Sequence, residues 1–330
     1  MTKVLLTGGS GFIGAHILKI LLARGYNVVL AVRTESKGQE ILDANPKSNE
    51  LSYVVTGDIS KLGAFDNALQ SDQPFDAVIH SASPFHFHST DHKKEMLEPA
   101  INGTVGILKA IKQHAPSVKK VVITSSIAAV LNPFSAPAKY TAEDWNPVTE
   151  EQALSNSGLA YLGSKTFAER SAWEFIKKEL PSVGLTTINP PAVLGPVLHH
   201  LKSLADINTS NAAIADLMQG KWKNGAPPTF TKPWVDVRDV ALAHVNALEI
   251  PEAAGRRFLL NGGYVTNADY VAIAKKNPLL KDKLPEMVDK EEITDPEVDT
   301  EPAEKVLGIK FRSLEESVTD TITSLQRFVE

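Results

Sequence analysis

Thr7-Gly8-Gly9-Ser10-Gly11-Phe12-Ile13-Gly14 is the stretch that decides the fold. It follows a short apolar run at 4–7. It opens a segment with Ile13, Ile17, Ile20 and Leu21 at i, i+4, i+7 and i+8, a single apolar stripe that Gly25 stops. The glycines at 8, 11 and 14 are spaced GxxGxxG. Gly8 permits a tight turn, Gly11 lets backbone approach a pyrophosphate, and Gly14 lets the helix pack close to the strand. The helix N-terminus offers free N–H groups and positive potential to phosphates. The plain alternative is a strand–helix turn that binds nothing. The strand before it and the helix after it argue against that.

Working outward, runs at 28–32, 53–55, 77–80, 121–124 and 185–189 are brief, rich in Val and Ile, and apolar on both faces, as buried parallel strands are. Helical spacing is predicted over about 60–70, 92–114 and 160–178. This alternation implies an α/β fold, a Rossmann-like doubly wound parallel sheet covered on both faces. After Asn189 the pattern loosens at Pro190, Pro191, Pro196, Pro227, Pro228 and Pro233. Residues 234–241 read as a strand and then a helix that Asp239 would cap. Residues 286–304 are acidic and Pro-punctuated, a solvated loop by expectation. Helical spacing returns at 314–328. The expected division is a dinucleotide domain at 1–190, with sheet additions from about 234–262, and a smaller, discontinuous substrate domain over 191–330.

The 330 residues are 43% hydrophobic and 22% charged, an ordinary globular composition. Cysteine is absent, which excludes a disulfide scaffold, a thiol nucleophile, a Cys-ligated zinc and an iron–sulfur cluster. A net charge of −5 suits neither general nucleic-acid nor acidic-membrane binding. No apolar run approaches the ~18 residues of a membrane span, and the N-terminus carries no secretory pattern. The expected location is cytoplasmic.

Further patterns specify the chemistry. The second strand ends in Val32-Arg33-Thr34, with Lys37 close behind, where a chain selective for NAD would place Asp or Glu on the ribose 2′-hydroxyl. A guanidinium grips a 2′-phosphate instead, so NADP(H) is expected. Asp58 in Gly57-Asp58-Ile59 suits an adenine-edge contact, although such an Asp is often a helix cap. Next, Tyr161-Leu162-Gly163-Ser164-Lys165 places a phenol and an ammonium on one helix face. A free phenol titrates near ~10 and is a reluctant acid. The cation one turn away is expected to lower that value. Tyr161 would then protonate a carbonyl oxygen as hydride reaches the carbon. Thr124-Ser125-Ser126 ends the fifth strand, on the carboxyl edge where open α/β sheets bind ligands. A serine hydroxyl there polarises a carbonyl.

With these residues in place, the chain resembles the extended short-chain dehydrogenases/reductases. More narrowly it is similar to the fungal NADPH-dependent methylglyoxal/isovaleraldehyde and carbonyl reductases, relatives of dihydroflavonol and cinnamoyl-CoA reductases. The likeness runs through the glycine turn, 57–62, 80–85, 121–126, 161–165, Asn189-Pro190 and 235–241. It implies Ser126, Tyr161 and Lys165 as the catalytic residues, with Lys165 also on the nicotinamide ribose. It implies Arg33 and Lys37 at the 2′-phosphate and Asp58 and Ile59 at adenine. Gly8, Gly11, Phe12, Ile13, Gly14, Ser81, Ala82, Ser83 and Thr124 would line the cofactor, with Pro190 and Val193 at the nicotinamide. Phe85, Leu131 and Gly158, beside Ser126 and Tyr161, would line the substrate pocket. Gly9-Ser10 stands where relatives often have Ala-Asn, and Pro191 is a second departure.

Nine histidines invite a metal reading, with His86, His88 and His92 in one group and His199-His200 in another. No supporting ligand pattern accompanies them, and no metal is expected. His80 reads as a satisfied core histidine. Trp222 and Trp234 read as core packing or as pocket walls. The resulting expectation is an NADPH-dependent reductase of neutral, fairly apolar aldehydes and ketones. It would act alone or as a homodimer, with no nucleic-acid or membrane partner. The alternatives are a nucleotide-sugar epimerase or hydroxysteroid-type dehydrogenase, and a non-catalytic NADP(H) sensor.

Overall fold

The computed structural model describes residues 2–83 and 89–328. Its strands are β1 (Lys3–Thr7), β2 (Asn27–Val32), β3 (Leu51–Val55), β4 (Ala77–His80), β5 (Lys120–Thr124) and β6 (Lys139–Tyr140). They continue as β7 (Gly184–Asn189), β8 (Ala192–Leu194), β9 (Pro233–Asp236), β10 (Arg256–Leu259), β11 (Gly263–Tyr264) and β12 (Glu297–Val298). Seven of them form one parallel sheet in the order β10-β7-β5-β4-β1-β2-β3. The strand order reverses between β1 and β4, which opens a crevice at their carboxyl ends.

Every side chain of β4 is buried, as are four of the five of β1, because helices cover both faces. On one face Ile17, Leu21, Val240 and Leu248 pack onto Val4, Leu6 and Leu30. On the other, Phe65, Ile107, Ile111 and Ile176 pack onto Leu5, Val78 and Val121. A third cluster lies in the C-terminal half and contains Trp222 and Trp234, 5% and 2% exposed. Both tryptophans are therefore core residues. Beside this cluster β8, β9 and β11 make a small sheet of their own.

Several local expectations need correction. The helix predicted over 60–70 shrinks to Asp66–Leu69, because Gly63 takes a left-handed φ of 74° and turns the chain. The segment predicted at 92–114 begins as a π-helix, Lys93–Leu97, before the α-helix Glu98–His114. The helix Val237–Glu249 is capped by Asp236, which accepts the Arg238 N–H at 2.7 Å, and not by Asp239. Asp239 instead accepts the Arg312 N–H at 2.8 Å and pairs with its guanidinium. The acidic stretch 286–304 is not loop throughout. It contributes β12, which pairs with β6, and the helix Glu301–Leu307.

Candidate active site

Gly8 follows β1 with φ 75°, a conformation that suits glycine. A β-carbon there would lie 2.7 Å from the Ala82 nitrogen, so the glycine turn touches the turn after β4. A β-carbon on Gly14 would overlap the Gly8 carbonyl, which holds the helix Phe12–Ala23 against the turn. Gly11 is the N-cap of that helix and gives it no side-chain hydrogen bond. Its first-turn N–H groups and dipole therefore face the crevice without a capping side chain, the arrangement that receives a pyrophosphate. Phe12 is buried beneath and Ile13 is half-buried. Gly9 is tight as well, since a β-carbon would lie 2.6 Å from Leu30 Cδ2.

Thr7 ties the neighbouring strand ends together. Its hydroxyl hydrogen-bonds His80 Nδ1 at 2.9 Å and accepts the Ala82 N–H at 3.0 Å. His80 is buried, and loss of hydration holds it neutral with a pKa of about 4, so it is a satisfied core histidine. Ser81 and Ala82 are half-buried on this edge.

Arg33 is exposed just past β2, beside Asp58. Thr34 caps the helix Glu35–Ala44. Lys37, in that helix, pairs with Glu40 at 3.1 Å. The Asp58 carboxylate accepts the Ser60 N–H and hydroxyl at 3.0 and 2.7 Å, and these bonds lower its pKa. It thus closes a local turn at Ser60, caps no helix, and neighbours Arg33. Ile59 is half-buried behind it.

Ser126, Tyr161 and Lys165 do converge. Ser126 follows β5 and caps the turn Ile127–Ala129 by accepting the Ala128 N–H at 3.1 Å. Tyr161 and Lys165 lie on the helix Ser157–Glu179, whose cap Asn156 accepts the Leu159 N–H at 2.9 Å. The Ser126 hydroxyl stands 3.5 Å from the Tyr161 phenol. The Lys165 ammonium lies 6.0 Å from the phenol ring centroid and donates to Ser83 Oγ at 3.0 Å. Burial pushes the Tyr161 phenol above its ordinary value, against a smaller downward pull from the Ser126 hydrogen bond. The expected lowering by Lys165 does not prevail in this geometry. Lys165 itself is pulled down to about 8 by lost hydration. A cavity of about 20 Å³ lies beneath, lined in part by Lys165, Glu169, Ser125 and His80, and is large enough for one water molecule.

The remaining expected positions are mixed. The Thr124 hydroxyl is bonded to His244 Nε2 at 2.7 Å. Pro190 is buried, and its carbonyl accepts the Ile127 N–H at 2.9 Å, next to Ser126. Val193 is buried in β8. Leu131 is half-buried near Ile127 and Val130, whereas Gly158 is exposed one turn before Tyr161. Phe85, His86 and His88 lie outside the described residues. His199 is half-buried, with its ring 6.0 Å from that of Phe12, and is not a freely exposed loop residue. His200 faces Glu40 at 3.5 Å. Among the described residues no group of three or more His, Cys, Asp or Glu is gathered for a metal, and no helix is long and apolar enough to cross a membrane. The sequence motifs do not single out Glu169 and Arg257, which meet in a buried ion pair at 2.7 Å behind Ser126. The available signal was a glutamate one turn beyond Lys165, on the same helix face.

Comparison with known proteins gives the family of the chain. Residues 4–261 match the model of the NAD dependent epimerase/dehydratase family. The chain is 46% identical to the ketoreductase azaE of Aspergillus niger, over 98% of this chain and 97% of that one. It is 36% identical to the NADPH-dependent methylglyoxal reductase GRE2 of Saccharomyces cerevisiae, over 99% and 98%. The crystal structure of Gre2 from Candida albicans with NADPH superposes with a TM-score of 0.91 at 37% identity, covering both chains completely. The family match over residues 4–261, the full-length identities and the superposition lead to one conclusion: the chain belongs to the NAD dependent epimerase/dehydratase family, the extended short-chain dehydrogenases/reductases.

Proposed function

We propose that this protein is an NADPH-dependent reductase of aldehydes and ketones. The observation that carries the reading is the 3.5 Å approach of the Ser126 and Tyr161 hydroxyls, with Lys165 beside them, at the carboxyl edge of β5. The named reductases among its relatives support it. The glycine cradle at Gly8, Gly11 and Gly14 fits a pyrophosphate, and Arg33 and Lys37 fit a 2′-phosphate.

When bound, NADPH supplies the hydride that reduces the carbonyl carbon. Ser126 donates a hydrogen bond to the carbonyl oxygen and holds it against Tyr161. Tyr161 gives that oxygen its proton. Its raised pKa suits this direction, because the neutral phenol is the form that donates. Lys165 binds the nicotinamide ribose and keeps a positive charge near the nascent phenolate. Asp58 and Ile59 flank adenine, while Ser81, Ala82, Ser83, Thr124, Pro190 and Val193 line the cofactor. Leu131 and Gly158 edge the substrate pocket. An apolar edge at the half-buried Leu131 would favour neutral, fairly apolar carbonyl compounds. Residues 1–190 hold the cofactor, and 191–330 supply most of the substrate side. The proposed setting is the cytoplasm, which suits a chain without cysteine, with the protein acting alone or as a homodimer.

The test is a carbonyl panel of methylglyoxal, branched aldehydes, diketones and β-keto esters, followed by NADPH consumption. NADPH oxidised in step with alcohol formed is the expected result. Cofactor binding without any oxidation would favour a sensor, and purified protein arriving with tightly bound NAD⁺ would favour an epimerase.

A further inference from the structure

The helix that carries Tyr161 and Lys165 carries Glu169 one turn further on. Positions i, i+4 and i+8 share a face, so the three side chains point to the same side. Glu169 is 2% exposed, and a carboxylate is rarely so buried unless it is paired. Its Oε2 accepts from the Ser125 hydroxyl at 2.5 Å and from Asn189 Nδ2 at 2.7 Å. Its Oε1 accepts from Arg257 Nε at 2.7 Å, Thr187 Oγ1 at 3.0 Å and Trp173 Nε1 at 3.2 Å.

Two of these donors bracket Ser126. Ser125 immediately precedes it, and Asn189 Nδ2 also donates to the Ser126 carbonyl at 3.2 Å. One carboxylate is therefore fastened to the backbone on both sides of Ser126 and, through its own helix, to Tyr161. Arg257 closes a second route. Its guanidinium lies 3.7 Å from the Trp145 ring centroid and donates to the Ala142 and Asp144 carbonyls, each at 2.6 Å. In the same loop Asn146 donates to the Ala128 carbonyl at 2.9 Å, and its N–H donates to the Ala129 carbonyl at 3.0 Å. That loop thus grips the turn that Ser126 caps.

We propose that Glu169, held by Arg257, is a positioning residue that sets the separation of the Ser126 and Tyr161 hydroxyls. Neither side chain touches substrate. The cost of dehydrating a buried ion pair offsets much of its attraction, so what this pair supplies is geometry rather than stability. The proposal rests on the reading of Ser126 and Tyr161 as the carbonyl-facing pair.

Two variants test it. Ser125→Ala removes one donor without changing charge. The double variant Glu169→Gln with Arg257→Met removes both charges together, so neither is left buried alone. Each is measured for melting temperature, NADPH Kd and kcat on a reducible carbonyl. The Tyr161 phenol is titrated by ultraviolet difference absorbance against the matching Tyr161→Phe protein. The expected result is a melting temperature and Kd close to the parent's, a kcat at least about tenfold lower, and a displaced phenol titration, since small misplacements of reacting groups cost this much. Folded variants with unchanged kcat and unchanged phenol titration would overturn the proposal. So would a kcat loss that only tracks the unfolded fraction. If the parent oxidises no NADPH with any carbonyl, the functional reading fails, and the phenol titration still decides the positioning role.

Discussion

The Ser126 and Tyr161 hydroxyl oxygens stand 3.5 Å apart, although 35 residues separate them in the chain. One comes from the end of β5 and the other from the first turns of the helix Ser157–Glu179. A carbonyl oxygen received between them meets two hydroxyl donors at once. Tyr161→Phe removes the proposed proton donor and leaves the ring. We expect kcat to fall by about 10²–10⁴-fold. NADPH affinity, read from cofactor fluorescence, stays near the parent value. Undiminished turnover would rule out the acid assignment.

The role proposed for Lys165 makes the rate of reduction depend on pH. Lost hydration brings its ammonium to about 8, while burial keeps the Tyr161 phenol above its ordinary value and protonated. Below about pH 8 Lys165 is charged; above it the charge is lost. The kcat/KM for a carbonyl substrate is expected to be flat in neutral solution and to fall as pH rises through about 8. A profile level well beyond that point would show that the Lys165 charge does not assist the step.

In the proposed reading, cofactor choice rests on Arg33. Hydrogen bonds from a guanidinium to a charged phosphate are worth about 1.5–3 kcal/mol. Arg33→Ala should therefore weaken NADPH binding by about 10–150-fold and leave NADH nearly untouched. Titration of each dinucleotide reads this directly. Equal weakening of both would show that Arg33 does not contact the 2′-phosphate.

Acid stability follows from buried imidazoles. His16, His80 and His244 are each held neutral at about 4, mainly by lost hydration. Unfolded, they take up protons near ~6.5. Between those values the unfolded chain binds more protons, so stability falls as pH drops from about 6.5 to 4, by up to about 1.4 kcal/mol per unit for each group. The Asp239 carboxyl, raised by burial, opposes this trend in part. Urea midpoints across that range measure the slope, and a flat series would contradict the neutral assignments.

The main sheet was readable because parallel strands covered on both faces must be short, apolar and β-branched, and β1, β4, β5 and β7 are. The glycine turn and the Tyr161–Lys165 spacing were readable because their chemistry is local. What failed was set by distant partners. Asp236 and Asp239 look alike as caps in sequence, and only Arg312, 73 residues beyond Asp239, shows which one is engaged elsewhere. The strand at Glu297–Val298 exists only because β6 is there to pair with it. Glu169 meets Arg257 across 88 residues, a contact that no local motif encodes. The phenol's raised pKa likewise depends on burial by neighbours that the helix alone does not specify.

A crystal structure with NADP⁺ bound tests the central claim most directly. The account predicts the pyrophosphate on the Gly8–Gly14 turn and the 2′-phosphate against Arg33. It predicts the nicotinamide ring beside Ser126 and Tyr161, with both hydroxyls within reach of one carbonyl oxygen. A nicotinamide directed away from that pair, or a tyrosine hydroxyl turned out of the crevice, would contradict it.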